Sequence, residues 1–516
     1  MIHSDDRGPQ SWNGVHVTHS TTVAELIDVD NVGPEGTLLT GFDMFRNAGE
    51  MLDEVIRKAR EAGEAGERIL AIGAGWALSD INITDGWLVN TKLLNGCYDV
   101  GDRYFDAAYP AADRPCVVLA QGGMQIAELN AYLELMPQDV AKKRALKAAG
   151  IGNGQTIAGA ISGNTHGAQI NFGAMPDFVV GLHIATGSGR TSWIEKASKP
   201  VLNHDFATKI GADLIRDDDI FNAAVVSFGT FGIIAAVAVE TAPIYQLAFP
   251  AIGDIHHDDL KTKLRQFGQA DPADLHHYEF ILDPHSRKQM AMEAGAPRVT
   301  YQPGLPTPQP RWIVRDKNGY APGINILRVV GLLRFLPPRI PTAIQFKQYG
   351  KLALLNGVRG TPGQLYTSSI YYLEGYTESA FGVSVRDAPE MIDICSEVAR
   401  ETRLSSISQV RLVHRSEATL GFTQHEPKTA VFEFGLINDA AFREFERRMD
   451  AALREAGIRY TMHWSKNSGI DPQQLDYMYG ATRIASWKAA RRAVFGNDAA
   501  LMKMFETDAM VRAGLA

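Results

Sequence analysis

Residues 154–167, GQTIAGAISGNTHG, bring small and hydroxyl-bearing residues close together, and this pattern decides how the chain is interpreted. The stretch belongs to a wider region, residues 150–190, in which 10 of 41 positions are glycine. Backbone with so few side chains allows close approach to a large flat or phosphorylated ligand. Tight turns would explain the glycines alone, but four interleaved side chains can also form hydrogen bonds: Thr156, Ser162, Thr165 and His166. We therefore predict a ligand-binding backbone segment here.

A second glycine-rich loop, Gly73–Ser79, directly follows the apolar run ILAI at residues 69–72. Backbone N–H groups in such a loop can approach a pyrophosphate, and the Ser79 hydroxyl can add a hydrogen bond. A nicotinamide-binding Rossmann motif would need glycine at position 78, a helix directly after the loop and an acidic residue about 20 positions later. Leu78 occupies that position, and a strand-like sequence follows. The loop therefore predicts phosphate binding outside a Rossmann fold.

Helix and strand patterns alternate around both loops. Apolar residues at helical spacing predict a helix over residues 41–63, with Gly63 as its end signal. Residues 69–72 and 81–91 are typical of strands, and residues 115–135 are typical of a strand, a turn and a helix. A buried pattern returns at residues 221–241. This alternation predicts an α/β or α+β domain, which we place at residues 1–245.

The remaining chain divides into two parts. Residues 246–460 mix strand-like runs (YEFILDP, SISQVRLVHR, TAVFEFGLI) with the helix-like MIDICSEVARETR, which predicts a sheet-based substrate or cap domain. Residues 461–516 carry aromatic and basic helix-like patterns. We expect this C-terminal segment to return to the first domain.

One segment of the second region, residues 317–373, contains no Asp or Glu, and apolar runs such as INILRVVGLLRFL separate its basic residues. A basic amphipathic segment can lie on an anionic membrane or bind an acidic partner. A cap-domain insertion with a solvated basic face is the simpler interpretation and the one we favour, although both stay open. The basic residues are Lys317, Arg328, Arg334, Arg339, Lys347, Lys351 and Arg359.

Composition narrows the functional classes. The formal net charge of −8 argues against a protein that coats nucleic acid, which needs a concentrated positive field. The N-terminal sequence shows no secretory signal, no run of about 18 apolar residues is visible, and only three cysteines occur. These features predict a cytoplasmic protein. Metal chemistry is not expected, because the pairs His256-His257 and His276-His277 are adjacent and would point to opposite faces of a strand.

Five ordered blocks together resemble a known family: ERILAIGAGWALSD, LAQGGMQIAELN, GQTIAGAISGNTHG, LHIATGSGR and FNAAVVSFGTFGII. They are similar to the FAD-binding domain of the vanillyl-alcohol oxidase superfamily. The C-terminal His463-Trp464-Ser465-Lys466 resembles the histidine-tryptophan-x-lysine element of the aldonolactone and alditol oxidases. The resemblance implies an α+β fold, with a PCMH-type FAD-binding domain of two subdomains and a sheet-and-helix cap.

The resemblance also implies which residues hold FAD. Many relatives carry a histidine at the position of Trp76 that bonds covalently to the flavin, and some carry a cysteine just before the glycine-rich stretch, where this chain has Ile151-Gly152-Asn153. We therefore expect non-covalent, dissociable FAD. The implied diphosphate contacts are Gly73, Ala74, Gly75, Trp76, Ala77 and Ser79. The implied flavin contacts are Gly154, Thr156, Gly159, Ala160, Ser162, Gly163, Thr165, His166 and Gly167, with Gly232 and Ile233 near the adenine.

Four residues are candidates for catalysis. Gln409-Val410-Arg411 resembles a glutamate-x-arginine pair that holds substrate hydroxyls, although glutamine replaces the charged acceptor. Strand periodicity places Gln409 and Arg411 on one face; a simple ion pair at a sheet edge is the alternative for Arg411. Lys466 can stabilise negative charge on reduced flavin or orient the substrate oxygen. His463 can accept the hydroxyl proton or merely pack in the core; on a strand, His463 and Lys466 would face opposite sides.

The implied reaction is hydride transfer from a small alcohol, polyol or sugar lactone to flavin N5. The resemblance associates a small residue near Gly122 with oxygen access, which favours reoxidation by oxygen. A dehydrogenase or reductase that uses a quinone or other acceptor, with a lipid-linked substrate, is the first alternative. A non-catalytic flavin-binding interaction protein is the second.

Overall fold

The computed structural model describes residues 1–4, 9–14, 18–33, 36–63, 68–305, 333, 335–352, 356–366, 376–437 and 440–516. Of the basic segment 317–373, it describes residues 333, 335–352 and 356–366. The predicted apolar run at residues 324–336 therefore lies almost entirely outside the described residues.

The N-terminal part contains a four-stranded sheet in the order β1-β4-β6-β5, beside a two-stranded hairpin of β2 and β3. Helix α1 forms as predicted, because Phe45, Met51, Leu52, Val55 and Ile56 bury one face of it and the helix ends before Gly63. The predicted strand at residues 81–91 is only half right, since a 3₁₀ turn occupies Asp80–Asn82 and the strand begins at Trp87. The elements are β1 Ile2–Ser4, β2 Gln10–Asn13, β3 Ser20–Val23, β4 Glu25–Asp30, α1 Gly41–Ala62, β5 Ile69–Ile72 and β6 Trp87–Leu93.

A six-stranded sheet in the order β12-β11-β10-β13-β8-β7 follows. Helix α1 contacts both this sheet and the first one, so it is the layer between them. The predicted strand, turn and helix at residues 115–135 are confirmed as β8 and α2. The elements are β7 Cys97–Asp99, β8 Val117–Gln121, α2 Ile126–Glu134, β9 Arg144–Ala145, α3 Ile157–Ser162, β10 Val179–Ala185, β11 Thr191–Glu195, α4 His204–Lys209, β12 Ala212–Arg216, α5 Asp218–Ala224, β13 Ile233–Glu240 and β14 Ala242–Pro243.

The second region is built on a seven-stranded sheet in the order β16-β18-β17-β22-β23-β21-β24. Residues such as Val410 and Phe432 bury one face of this sheet in the same apolar core as helices α9 and α10. A smaller sheet, β19-β15-β20, lies beside it. The elements are β15 Tyr245–Ala248, β16 Gly253–His256, α6 His257–Phe267, β17 His277–Leu282, β18 Met290–Ala296, β19 Arg298–Thr300, α7 Arg339–Leu352, β20 Arg359–Gly360, α8 Pro362–Leu365, β21 Tyr376–Ser384, α9 Ala388–Glu401, β22 Ser408–His414, β23 Lys428–Ile437, α10 Ala440–Glu455 and β24 Tyr460–Met462.

Three C-terminal helices pack on the N-terminal part: α11 Pro472–Val494, α12 Ala499–Met504 and α13 Asp508–Arg512. Leu501 and Phe505 belong to the same apolar cluster as α1, and Arg512 pairs with Asp80 at 2.6 Å. The mixed α+β class is therefore as predicted. The proposed divisions near residues 245 and 460 stay predictions.

Candidate functional site

The two glycine-rich segments lie against each other. A Cβ atom added to Gly73 would lie 2.0 Å from the Thr156 hydroxyl oxygen, so only glycine allows this approach. The indole ring of Trp76 covers the opposite segment, because an added Cβ would lie 2.6 Å from that ring at Gly152 and 2.4 Å from it at Gly154. Side chains at these positions would separate the segments.

The Gly73–Ala77 backbone meets the chemical requirement of a diphosphate site. Among the described residues, no protein acceptor takes a hydrogen bond from any N–H group of Gly73, Ala74, Gly75, Trp76 or Ala77. A run of N–H groups without protein acceptors at a partly exposed turn is an anion-binding arrangement. The donor set therefore fits the phosphate groups of FAD.

The turn at residues 463–466 forms hydrogen bonds with both glycine-rich segments. The carbonyl of Ser465 accepts hydrogen bonds from the N–H groups of Leu78 at 2.8 Å and Ser79 at 3.2 Å. The Ser79 hydroxyl donates to the carbonyl of Trp464 at 2.6 Å, and the Ser465 hydroxyl donates to the carbonyl of Gly163 at 3.4 Å. This differs from the diphosphate contact predicted for Ser79, because its N–H and O–H groups hold the C-terminal turn.

Several of the other residues predicted to contact FAD also make contacts within the protein that hold the glycine-rich segment in place. Thr156 begins α3 and accepts from the Gly159 N–H at 3.4 Å, and Ala160 is buried in the core. Gly163 and Gly167 allow tight contacts, since an added Cβ would lie 2.2 Å from the Ser465 hydroxyl oxygen and 2.2 Å from the Ala149 carbonyl oxygen, respectively. Ser162 ends α3, and the Thr165 N–H donates to the carbonyl of Ala160 at 2.8 Å.

Gly122, Gly232 and Ile233 lie at strand ends of the six-stranded sheet. An added Cβ at Gly122 would lie 2.2 Å from the carbonyl oxygen of Ile234, so close backbone packing requires this glycine whether or not oxygen passes nearby. Gly232 has φ 105°, and Ile233 pairs with Ala185 in the sheet. The structure therefore supplies a packing reason for Gly122, which weakens its value as a sign of oxygen access.

A cluster of buried charges covers one face of the seven-stranded sheet. Glu279 lies opposite Arg411, and Gln409 lies opposite Glu433, so neighbouring strands present all four on one face. Gln409 Nε2 donates to Glu279 at 2.9 Å, and Arg411 pairs with Glu433 at 2.8 Å. We call these four residues, with Glu378 and Lys466, the ion cluster.

Lys466 joins the ion cluster from the C-terminal turn. Its ammonium pairs with Glu378 at 2.6 Å and also with Glu433. The prediction that His463 and Lys466 face opposite sides assumed a strand, but β24 ends at Met462 and residues 464–466 form a turn. In this turn the Lys466 N–H donates to the His463 carbonyl at 3.0 Å. Both residues therefore reach the same region.

Burial and pairing shift the pKa values of the ion cluster in opposite directions. Burial would raise the pKa of Glu433, but the Arg411 and Lys466 cations outweigh it and hold that pKa well below its ordinary value. Burial would likewise raise the pKa of Glu279, but His277, Arg411 and Gln409 lower it. Burial would lower the pKa of Lys466, but Glu378 and Glu433 raise it. Glu433, Glu279 and Lys466 are therefore ionised at neutral pH.

His166 connects the glycine-rich segment to the ion cluster. Asn164, with φ 58°, turns the backbone before it and accepts from the N–H of Phe422 at 2.5 Å. The His166 Nδ1 atom lies 3.1 Å from the carbonyl of Gly167 and must donate to it, so Nε2 has the free lone pair in the neutral ring. That Nε2 atom lies 3.6 Å from Glu433. Burial lowers the pKa of His166 to about 4, so the ring is neutral at pH 7.

His463 has the opposite tautomer. Its Nδ1 atom accepts a hydrogen bond from the Ser465 N–H at 3.1 Å, which leaves the proton of the neutral ring on Nε2. Burial, with the nearby Lys466 charge, holds its pKa well below the ordinary value. The ring centroids of His463 and His166 are 5.6 Å apart. Of the two neutral histidines, His166 therefore has the available acceptor nitrogen and His463 has the donor.

A third histidine, His277, extends this face. Its Nδ1 atom lies 3.0 Å from the hydroxyl of Tyr366, which also accepts from Gln169 at 3.4 Å. Gln169 follows the glycine-rich segment, and Tyr366 follows α8, so these contacts connect that segment to the seven-stranded sheet around Glu279.

Sequence reasoning missed Glu279, Glu433, Glu378, His277 and Tyr366. The available signal was a single carboxylate inside an otherwise apolar strand, as in HYEFIL around Glu279 and TAVFEFGLI around Glu433. An unpaired charge is very costly in a buried strand, so each such residue implies partners on neighbouring strands. The sequence does not show which strands those are.

The described part of the chain shows neither a metal site nor a membrane-spanning helix. It contains no group of three or more His, Cys, Asp or Glu side chains arranged to hold a metal ion. Its helices include none that combines the length and apolar character needed to cross a bilayer.

Comparisons with known proteins support the prediction that this chain binds FAD. Residues 49–195 match the protein family described as FAD binding domain. The chain is similar to D-arabinono-1,4-lactone oxidase of Eremothecium gossypii, with 28% identity over 199 residues, which is 38% of this chain and 31% of the relative. It is also similar to L-gulono-1,4-lactone dehydrogenase of Mycobacterium tuberculosis, with 27% identity over 258 residues, or 49% and 48% of the two chains. The chain thus spans less than a third of the first relative and about half of the second.

Among solved structures, cholesterol oxidase from Brevibacterium sterolicum has the same fold, with a TM-score of 0.67 and 14% identity over 99% of this chain and 97% of that one. Residues 49–195 therefore carry an FAD-binding domain, and the chain as a whole shares the fold of cholesterol oxidase. The names of these relatives, a lactone oxidase and a lactone dehydrogenase, agree with the predicted resemblance to the aldonolactone and alditol oxidases.

Glu433→Gln should destabilise the protein at pH 7 by about 3 kcal/mol, because Arg411 and Lys466 lose a buried partner. The folded-state pKa of Glu433 is lowered, so its contribution is complete above pH 4.5, the ordinary value, and is lost as pH falls below it. Urea unfolding of both proteins should show their stability difference narrowing below pH 4.5. Glu397→Gln, at an exposed position, is the control. A difference that stays constant down to acid pH would contradict an ionised, paired Glu433.

Proposed function

We propose that this protein is an FAD-dependent oxidoreductase that removes a hydride from the CH–OH group of a small alcohol, polyol or sugar lactone. One observation carries the proposal: His166, in the glycine-rich segment of the FAD-binding domain, meets the ion cluster of the cap. The backbone proposed to bind the cofactor and the buried charges of the ion cluster are thereby adjacent. The names of the lactone-oxidising relatives support the same chemistry.

FAD is proposed to bind between the Gly73–Ala77 loop and the glycine-rich segment, without a covalent bond. The unpaired N–H groups of the loop would hold the diphosphate, and Gly154, Thr156, Ser162, Thr165 and His166 would surround the ring. Trp76 supports non-covalent binding because an indole lacks the nucleophilic nitrogen of an imidazole. When bound, FAD supplies the hydride acceptor for the reaction.

The cap residues are proposed to hold the substrate. Arg411 and Gln409 present N–H donors from one strand face toward the substrate oxygen, while Glu279 and Glu433 keep both side chains in fixed positions. Lys466 keeps a positive charge beside this face, because its two carboxylates raise its pKa. Preorganised charges in a water-poor site stabilise developing charge more strongly than solvent does.

The substrate proton is proposed to go to His166 Nε2 rather than to His463. His166 has the free lone pair, and Glu433 would stabilise the imidazolium that forms. His463, whose Nδ1 atom already accepts from the backbone, would donate through Nε2 and so orient an oxygen atom. This assignment differs from the sequence-based hypothesis, in which His463 or solvent accepts the proton.

Anaerobic mixing of the FAD-loaded protein with a panel of secondary alcohols, polyols and aldonolactones tests the function. At least one of these classes should bleach the flavin absorption, because hydride transfer reduces the ring. Air admitted afterwards should restore the colour rapidly, since we propose oxygen as the acceptor.

Two results would oppose parts of this proposal. Flavin that stays oxidised with every compound would favour a flavin-binding protein without turnover. Bleaching followed by slow recovery in air, but fast recovery with a quinone, would favour a dehydrogenase.

The two histidines can be separated by matched substitutions. Asparagine can replace the Nδ1 hydrogen bond of either ring but has no Nε2. His166→Asn should slow anaerobic flavin reduction by about 10²–10⁴-fold per bound FAD, the usual effect of losing a general base. His463→Asn should change the rate by less than about tenfold. Stopped-flow absorbance measures both, and the reverse order, or no loss in either variant, would reject this assignment.

A further inference from the structure

We propose that Tyr366 is a positioning residue of the ion cluster: its hydroxyl selects the tautomer of His277 that keeps the Glu279 carboxylate in place. Glu279 in turn orients Gln409, which we assign to substrate binding, so the inference rests on the proposed function. The tautomer itself follows from contacts within the protein and can be tested without a substrate.

Tyr366 lies beside His277 because helix α8 places it there. Glu134, the last residue of α2, accepts hydrogen bonds from the Thr361 hydroxyl at 2.5 Å and from the Gly363 N–H at 2.8 Å, which fixes the start of α8 against α2. Tyr366 directly follows α8, and its side chain is 2% exposed. The position of its hydroxyl is therefore set by the fold.

The Tyr366 hydroxyl has one hydrogen, and its neighbours determine where that hydrogen points. Gln169 Nε2 lies 3.4 Å from the hydroxyl oxygen, and an amide nitrogen can only donate. The same Nε2 atom donates to the Ala149 carbonyl at 3.5 Å, which identifies it as the nitrogen of the amide. Within the described residues, His277 Nδ1, at 3.0 Å, is the acceptor that remains for the hydroxyl hydrogen. A hydroxyl that accepted from both neighbours would leave that hydrogen buried without a partner.

The donated hydrogen fixes the protonation of the His277 ring. Burial, with the neighbouring Tyr245 and Glu279, raises the pKa of Tyr366 well above its ordinary value, so the hydroxyl keeps its hydrogen at neutral pH. Because Nδ1 accepts, the proton of the neutral imidazole is on Nε2. The rings of Phe249 and Tyr366 contact the imidazole at centroid distances of 4.9 Å and 6.0 Å and hold its orientation.

Glu279 uses its two oxygen atoms for different partners. Oε1 lies 3.7 Å from His277 Nε2, whereas Oε2 accepts from Gln409 Nε2 at 2.9 Å and lies 3.6 Å from Arg411 Nε. A proton on Nε2 attracts Oε1, but the other tautomer would present a lone pair to the carboxylate and repel it. Burial leaves little solvent to screen this repulsion. The Tyr366 hydroxyl thus maintains the carboxylate orientation that holds Gln409.

NMR spectroscopy of the complete protein, as purified and selectively labelled with ¹⁵N-histidine, tests the tautomer. The ¹⁵N shifts of a neutral imidazole differ according to which nitrogen carries the proton, and His277→Gln identifies the signals. At pH 7 we expect the proton on Nε2, and Tyr366→Phe, which removes only the hydroxyl, should move part of it to Nδ1. A proton on Nδ1 in the unsubstituted protein, or unchanged signals in the variant, would overturn the proposal.

Flavin reduction measures the consequence for substrate. With the compound that bleaches the flavin, Tyr366→Phe should raise the concentration for half-maximal reduction about 3–10-fold, the usual effect of one lost hydrogen bond, and leave the limiting rate within about twofold. Stopped-flow absorbance gives both values. In a His277→Gln background, whose amide nitrogen always carries hydrogen, Tyr366→Phe should have no further effect.

Tyr245→Phe is the matched control. Tyr245 is buried in the same apolar cluster as Tyr366, but its hydroxyl donates to the Leu146 carbonyl at 2.8 Å, so its loss should change neither kinetic value. Equal effects of the two substitutions, or no effect of Tyr366→Phe on the half-maximal concentration, would refute the positioning role.

The two measurements also separate this inference from the proposed function. If no compound reduces the flavin of the unsubstituted protein, the proposed function fails, and the NMR signals alone decide whether Tyr366 sets the His277 tautomer. Circular dichroism of each variant reports its folding. If Tyr366→Phe does not fold, the tautomer in the unsubstituted protein still supports or overturns the proposal.

Discussion

The sharing of one buried carboxylate by two cations is the interaction on which the rest of this structure depends. Glu433 pairs with Arg411 on the neighbouring strand and with Lys466 on the C-terminal turn. Without these partners, a carboxylate buried in the sheet would carry a large desolvation penalty. The pairing therefore ties the seven-stranded sheet to the C-terminal turn.

The same turn also forms hydrogen bonds with the FAD-binding domain. Through the Ser465 carbonyl it holds the loop that follows β5, and through the Ser465 hydroxyl it contacts the glycine-rich segment at Gly163. His166 connects the two regions directly, because it belongs to the glycine-rich segment and lies beside Glu433. The glycine-rich segments and the ion cluster are thus held by one continuous set of contacts, which is the preorganisation that the proposed catalysis requires.

Local features of the fold were predictable from the sequence. The helix α1 has a regular apolar stripe, and β8 with α2 follows a clear strand, turn and helix pattern. The turn at Asp80–Asn82 was missed, because alternating polar and apolar residues also occur in short irregular segments. Likewise, nothing in the letters HWSK distinguishes a strand from the turn that brings His463 and Lys466 together.

Long-range features of the site were less predictable. The predicted Gln409 and Arg411 do share one face, because period-two spacing is a local property. Their carboxylate partners, Glu279 and Glu433, come from other strands, and local sequence does not determine the order of strands in a sheet. The sequence also does not show which ring nitrogen of His166 and of His463 is free. Hydrogen bonds to the Gly167 carbonyl and from the Ser465 N–H determine this.

The central claim is that the paired glycine-rich segments hold FAD without a covalent bond. A visible absorption spectrum of the purified protein, followed by acid precipitation, tests it most directly. We expect flavin absorption in the native protein and its full release into the supernatant. Flavin retained in the pellet would contradict non-covalent binding, and a folded, colourless protein that takes up no added FAD would contradict the claim as a whole.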